Sequence, residues 1–398
     1  MTYPENIRVI IDRLEASGES AYIVGGSLRD MLLGIAPHDY DVTTSALPSK
    51  TLSVFSDMRV IETGIKHGTV TVICGGEPVE VTTFRVDGEY TDSRHPDSVS
   101  FTASIEQDLA RRDFTVNAMA YSESRGIIDP FDGASDVKKG IIRAVGEPTE
   151  RFREDALRIM RAFRFSAQLG FEIEKRTLDG AVGGARGLEN IARERIGSEF
   201  IKLLTSPYPE KSLKLMIQTG VIKYAVGDCD ISDDLIRVIP EMQGVDVARL
   251  GALLCRTDGE TARVILGNLR CSSKQTKGTL AVALGAEMSV CSAEDARRLI
   301  ARTGIYAPYA ARLSEKLGIS GAGAEHLTVR QQNTPCTVRE LAINGKVLAK
   351  LGARGKRIGE VLELLLDTVI ENPALNEEST LARLAEKILN ESKEEENV

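Results

Sequence analysis

The sequence predicts an α+β protein: an N-terminal domain of strands and helices followed by a long, almost wholly helical remainder. Three observations carry this. Short β-rich runs bounded by glycine and proline are concentrated before residue 150. Beyond Glu150, apolar residues recur at three- and four-residue spacing through 157–169, 196–204 and 213–217. Finally, 398 residues exceed what one compact core encloses, so roughly two to four domains are expected.

Residues 1–20 suggest an amphipathic helix with Ile7, Ile10, Ile11 and Leu14 on one face. The stretch 21–44, AYIVGGSLRDMLLGIAPHDYDVTT, is the densest in chemistry. Tyr22, Ile23 and Val24 read as a buried strand and Gly25 and Gly26 as a tight turn. Ser27 reads as the cap of a helix over 28–33, which Gly34 ends. Backbone N–H groups left open at such a turn suit an anion.

Asp39-Tyr40-Asp41-Val42 reads as a strand, whose two-residue period points Asp39 and Asp41 to one side. Paired carboxylates beside a phosphate-binding turn suit Mg²⁺, which is held by one or two carboxylates plus substrate phosphates. For the two acids alone, an exposed strand edge is the plainer reading. Thr69 to Cys74 and the run 79–84, separated by Gly-Gly-Glu-Pro, predict a hairpin. Glu80 in its second strand offers either a third metal carboxylate or a solvent-facing side chain. Residues 87–100, DGEYTDSRHPDSVS, predict a long loop, a candidate moving part.

RRDFTVNAMAY, 111–121, returns to helical spacing and places Asp113 and Asn117 on one face with Arg111 and Arg112 at its start. That set suits a ribose and a phosphate, or equally an ordinary ion-paired surface helix. A further helix is predicted from Glu154, with Glu154 and Asp155 in its first turn and Arg158, Arg161 and Arg164 following at intervals of three. Leu157, Met160, Phe163 and Ala167 form its apolar stripe.

A carboxylate accepts from an exocyclic amine while a guanidinium donates to a ring nitrogen. Asp155 and Arg158 together therefore suit cytosine and adenine, and leave polar groups unpaired against uracil or guanine. Near the end, Gly352, Arg354, Gly355, Lys356 and Arg357 precede a helix running to about Glu371. They suit an RNA phosphate, or simply form a basic turn between helices.

Composition excludes several classes. The six cysteines have no C-x-x-C pair and the four histidines are isolated, against a zinc or histidine-rich hydrolase site. The net charge of −8 argues against a general nucleic-acid coat, though not against local basic surfaces. No apolar run is long enough to cross a bilayer and no secretory signal is evident, which predicts a cytoplasmic protein.

VGGSLRDMLLG followed by DYDVTT, RRDFTVNAMAY, EDALRIMRAFRF and RERIGSEF resembles the ordered motifs of bacterial class II CCA-adding enzymes, the tRNA nucleotidyltransferases. The resemblance is dense over the first half; ELAINGKVLAKLGARGKRIGEVL resembles the family's tail. It implies a polymerase-β-like head with a mixed sheet at 1–147, then an all-α neck at 148–210, body at 211–320 and tail at 321–398. It also implies addition of C, C and A to a tRNA 3′ end from CTP and ATP. Carried over by motif, Asp39 and Asp41 would hold two Mg²⁺ ions, and Gly25, Gly26, Ser27 and Arg29 the triphosphate. Arg111 or Arg112, with Asp113 and Asn117, would bind ribose and phosphate. Glu154, Asp155, Arg158, Arg161 and Arg164 would select the base, and Arg354, Lys356 and Arg357 would meet the tRNA.

The long loop favours full CCA addition over CC addition, and the acidic C-terminus disfavours a poly(A) polymerase. The chain lacks the histidines of an appended HD phosphohydrolase domain. A catalytically silent tRNA-binding protein or a small-molecule nucleotidyltransferase are the other readings. The intact acid pair opposes the first, and some 250 trailing residues oppose the second.

Overall fold

In the computed structural model, the structure describes residues 1–88, 99–227, 229, 231–242, 246–320 and 334–395. The chain forms two compact units, residues 1–228 and 229–398.

The first unit is built on a seven-stranded sheet, and two hairpins supply much of it. The strands are β1 (Ala21–Val24), β2 (Asp41–Thr44), β3 (Arg59–Ile61), β4 (Thr69–Cys74), β5 (Glu77–Thr83), β8 (Ala120–Ser122) and β9 (Gly126–Ile128), in the order β3-β4-β5-β2-β1-β8-β9. Only β2 and β5 run parallel, so the sheet is mixed, as expected. The β4–β5 hairpin turns on Gly75 and Gly76, with φ of 63° and 87°, the left-handed pair that a two-residue hairpin requires.

Helix α1 (Glu5–Ala16) buries Ile7, Ile10, Ile11 and Leu14, the face read from the sequence. Helices α2 (Gly26–Leu32), α3 (Pro48–Val54), α4 (Ile105–Ala110) and α5 (Gly133–Lys139) complete the head. One side of the core holds Tyr22, Val24, Phe84, Leu109, Ala120 and Val145. The ends of the predicted loop pair as β6 (Arg85–Asp87) and β7 (Val99–Phe101); residues 89–98, which carry most of it, lie outside the described residues.

Four local expectations need correction. The strand expected from Asp39 begins at Asp41, which pairs with Val24, the last residue of β1, and Asp39 lies in the bend before it. Ser27 is not the cap of α2: Gly25, at φ 71°, turns the chain two residues earlier, and the Ser27 hydroxyl donates to the Val24 carbonyl at 2.8 Å. Residues 111–121 are not one helix. Arg111 ends α4, Thr115–Asn117 makes a single 3₁₀ turn and Ala120 opens β8. Phe114, Val116, Ala118, Met119 and Ala120 are all fully buried, so no amphipathic face exists there, and the backbone bonds outward, Thr115 N–H to Arg143 and Val145 N–H to Asp113. The helix expected from Glu154 is two helices, α6 (Pro148–Glu154) and α7 (Leu157–Leu169), broken at Asp155, whose backbone is extended.

Helices α8 (Lys175–Gly184), α9 (Arg193–Thr205), α10 (Pro209–Gln218) and α11 (Ile222–Val226) follow, with α9 and α10 packed on α7. A short parallel ribbon of β10 (Ile141–Ile142) and β11 (Glu172–Ile173) interrupts the helical part; two residues are too few to show a period. The second unit is helical throughout its described residues. There the helix Lys356–Glu371 packs against Glu378–Glu395 through Val361, Leu365, Val369, Leu381 and Ala385. That last helix reaches Glu395, into the charged C-terminal segment.

Candidate active site

Between the sheet and α7 lies a pocket of about 700 Å³, walled by eight arginines against three aspartates. Its first wall is the glycine turn. Gly25 sits at φ 71°, a backbone angle that favours glycine, and a Cβ there would lie 3.2 Å from the Arg112 guanidinium, which would have to shift slightly. The turn passes into α2, whose Arg29 is almost fully buried and donates to Asn117 Oδ1 at 2.7 Å and to Asp30 at 2.7 Å.

Asn117 in turn donates to Asp113 Oδ1 at 3.3 Å, and Arg161 donates to Asp113 Oδ2 at 2.7 Å. Arg29, Asn117, Asp113 and Arg161 thus form one chain of bonds across the pocket floor. Burial pushes the Asp113 carboxyl up, but Arg161, Arg158 and the Asn117 bond outweigh it and leave the group below the ordinary carboxylate range. The sequence proximity of Asp113 and Asn117 was right for a turn rather than a helix.

Arg111 and Arg112 share a carboxylate that sequence reasoning missed. Asp108, on α4, is completely buried, accepts from Arg111 at 2.7 Å and Arg112 at 3.2 Å, and takes the Arg85 backbone N–H at 3.3 Å. His67 and Arg85 also reach the pocket, Arg85 donating to the His67 carbonyl at 2.7 Å. Nothing local marked them; strand pairing brings them there.

Of the two candidate metal acids, Asp41 lines the pocket and Asp39, exposed in the preceding bend, does not. Asp41 is solvent-accessible on one side, yet the surrounding protein strips enough water to push its carboxyl up. Glu80, its register partner on β5, and Asp39 add to the rise, and Arg112 opposes it. Among the described residues no three His, Cys, Asp or Glu side chains form a ready metal cage. The donor set is the Asp41 carboxylate, with Glu80 and Asp39 near enough to act on its charge, beside an arginine-lined cavity suited to an anion, which fits a hard divalent cation completed by phosphate oxygens.

The far wall is α7 with the break before it. Asp155 accepts the Leu157 N–H at 2.9 Å and Arg195 of α9 at 3.2 Å. Arg158 donates to Glu154 at 2.8 Å and to the Arg111 carbonyl at 3.1 Å. Asp155 and Arg158 therefore both line the pocket, joined through the backbone, where the Arg158 N–H donates to the Asp155 carbonyl at 3.0 Å, while their side chains are anchored elsewhere; Glu154 stays behind as an anchor, outside the lining. Arg164 donates to Glu199 at 2.5 Å. Arg195 and Glu199 lie in the RERIGSEF segment, whose acid–base spacing was the available signal. Ser27, buried against Val24, does not line the pocket.

A family model described as "Poly A polymerase head domain" matches residues 21–143, and one described as "Probable RNA and SrmB- binding site of polymerase A" matches 170–226. The CCA-adding enzyme of Ligilactobacillus salivarius is 36% identical over 393 residues, covering 96% of each chain. The chain belongs to the CCA-adding enzyme family. The Streptococcus suis member is 49% identical over 226 residues, 57% of this chain and 56% of its own. The crystal structure of the Bacillus stearothermophilus CCA-adding enzyme in complex with CTP matches with a TM-score of 0.81 at 31% identity, covering 100% of both chains.

Arg354 and Lys356 are exposed on either side of Gly355, which opens the helix Lys356–Glu371, and Arg357 is paired with Glu360 at 2.8 Å. These three belong to the second unit.

Proposed function

We propose that this protein adds C, C and A to the 3′ end of tRNA, using CTP and ATP without a nucleic-acid template and releasing pyrophosphate. The observation that carries the reading is the pocket in which an arginine-rich triphosphate wall, the Asp41 carboxylate and the Asp155/Arg158 base-facing pair meet in a chain of this family.

Membership of a nucleotidyltransferase family implies a divalent metal. We assign it as two Mg²⁺ held by Asp39 and Asp41, with Glu80 within electrostatic reach of Asp41. When bound, such ions activate the attacking hydroxyl and neutralise the departing pyrophosphate. The chain's own residues do the rest. Gly25, Gly26 and Arg29 hold the triphosphate, with Arg111 and Arg112 beside it. Asp113 and Asn117 hold the ribose, and Arg161 and Arg164 extend the cationic wall. The tRNA 3′-hydroxyl attacks the α-phosphate in line, and no side chain is needed as a separate base.

Asp155 accepts the exocyclic amine of cytosine or adenine and Arg158 donates to the ring nitrogen; both side chains keep hydrogen-bonding capacity beyond their anchors. Arg354, Lys356 and Arg357 contact the tRNA backbone, and the division into head, neck, body and tail at 147, 210 and 320 is kept. Among the described residues no helix is long and apolar enough to cross a membrane, and we place the reaction in the cytoplasm.

The deciding experiment supplies a tRNA ending before CCA with each nucleotide alone and together. Ordered growth by C, C and A followed by arrest supports the reading. An open-ended A tract means a poly(A) polymerase, arrest after CC or A alone a partial enzyme, and no growth with Mg²⁺ present a silent scaffold.

A further inference from the structure

We infer that Phe165 is a positioning residue for the nucleoside triphosphate, its ring serving as the uncharged hub that holds the guanidinium groups of Arg29, Arg161 and Arg164 in the pocket. The inference rests on the nucleotide-binding reading of that pocket. The centroid of the Phe165 ring lies 3.8 Å from the Arg164 guanidinium carbon, 5.2 Å from that of Arg161 and 5.5 Å from that of Arg29. All three fall within the range at which a cation is drawn to an aromatic ring.

Each guanidinium also has its own acid: Asp30 for Arg29, Asp113 for Arg161 and Glu199 for Arg164. The acids come from three different parts of the first unit, and the ring is the feature common to all three cations. Three cations gathered this closely repel one another, and Arg161 does depress the Arg164 guanidinium, although burial depresses it more. A fourth carboxylate at the centre would relieve the repulsion but would also repel a triphosphate. An aliphatic side chain would fill the space and offer the cations nothing. A benzene ring presents a partly negative face with no net charge, so it steadies the cations while the pocket stays positive.

The ring is itself fixed. It is 6% exposed and packs edge-on against fully buried Phe114, with centroids 5.8 Å apart and planes at 79°. Arg161, Arg164 and Phe165 stand at helical spacing on α7, so one helix delivers the ring and two of its cations, and Arg29 arrives from α2.

The test measures CTP and ATP binding to the full-length protein by equilibrium dialysis, steady-state addition to tRNA, tRNA binding and the thermal midpoint. The variants are Phe165→Leu, Phe165→Met, Phe165→Tyr and Arg164→Ala. Phe165→Leu and Phe165→Met should each raise the Kd and KM for both nucleotides about tenfold while tRNA affinity holds. Phe165→Tyr, which keeps the ring, should stay within about threefold of wild type.

If Phe165→Leu does not fold, Phe165→Met carries the comparison. Wild-type nucleotide binding in a folded aliphatic variant, or equal loss in Phe165→Tyr, overturns the hub role. So does a fall in kcat that merely follows the folded fraction. Arg164→Ala separates the two levels: if it weakens nucleotide binding and Phe165→Leu does not, only the hub role is lost. If neither changes binding, the nucleotide reading of the pocket fails with it.

Discussion

The Asp155 carboxylate is held by Arg195 at 3.2 Å, while Arg158, one turn along, is held by Glu154 at 2.8 Å. The two groups suited to a base edge are thus set by separate partners on separate helices. Arg195→Ala should release Asp155 and lower discrimination against UTP and GTP by about tenfold or more, as should Asp155→Ala and Arg158→Ala. Misincorporation assays on tRNA ending in CC, with tRNA binding as control, check this. Unchanged fidelity in all three at normal activity would remove the base-edge model.

Asp108 should prove essential to the fold as well as to the site. Asp108→Ala leaves the Arg111 and Arg112 guanidinium groups without their buried counter-charge, at a cost of about 3–5 kcal/mol in unfolding free energy. Burial pushes the Asp108 carboxyl up, but the two arginines and their bonds outweigh it, so the group sits below the ordinary value of 3.8. A depressed acid contributes stability above its unfolded pKa and loses it as pH falls through the folded one. Wild type should therefore lose stability as pH falls below about 4, and Asp108→Asn should flatten that part of the profile; urea melts from pH 7 to pH 3 report it.

Asp41 has the opposite sign. Desolvation, Glu80 and Asp39 raise its carboxyl, so the metal-free protein loses stability as pH rises from the unfolded value of 3.8 through the folded one. Asp41→Asn should be more stable than wild type at pH 7 without metal, an advantage that vanishes in acid. Added Mg²⁺ should raise the melting temperature of wild type and leave the variant unmoved. Nucleotide addition should drop by about 10³-fold or more in the variant, with tRNA binding kept. Persisting activity would refute the metal assignment.

In the second unit, the double substitution of Arg354 and Lys356 by Ala should weaken tRNA binding and lower the slope of log K against log salt by about two, with CTP binding to the enzyme alone unaltered. Titrations at several salt concentrations measure it; an unchanged slope would mean an ordinary basic turn.

Much was legible in sequence because it depends on neighbours along the chain. The Gly-Gly turn, the β4–β5 hairpin, the buried face of α1 and the span of α7 follow from backbone freedom, turn chemistry and periodicity, which act over a few residues. Reading failed where burial was complete. Around Phe114 to Ala120 every side is covered, so no period distinguishes a helix from a turn and a strand. It also failed at Asp155, where an acid among good helix formers breaks the helix because its carboxylate serves Leu157 and Arg195.

By itself, then, the sequence determined the strand-bearing N-terminal domain, the helical remainder and the motif order, all properties of local pattern, and through the motifs the family, whose resemblance implied the mixed sheet. Only the tertiary structure decided which charges meet: Asp108 beneath Arg111 and Arg112, Arg195 behind Asp155, His67 and Arg85 at the pocket wall, and three arginines around Phe165. A side chain's partners are fixed by strand register and helix packing across tens of residues. Local spacing carries no record of that distance.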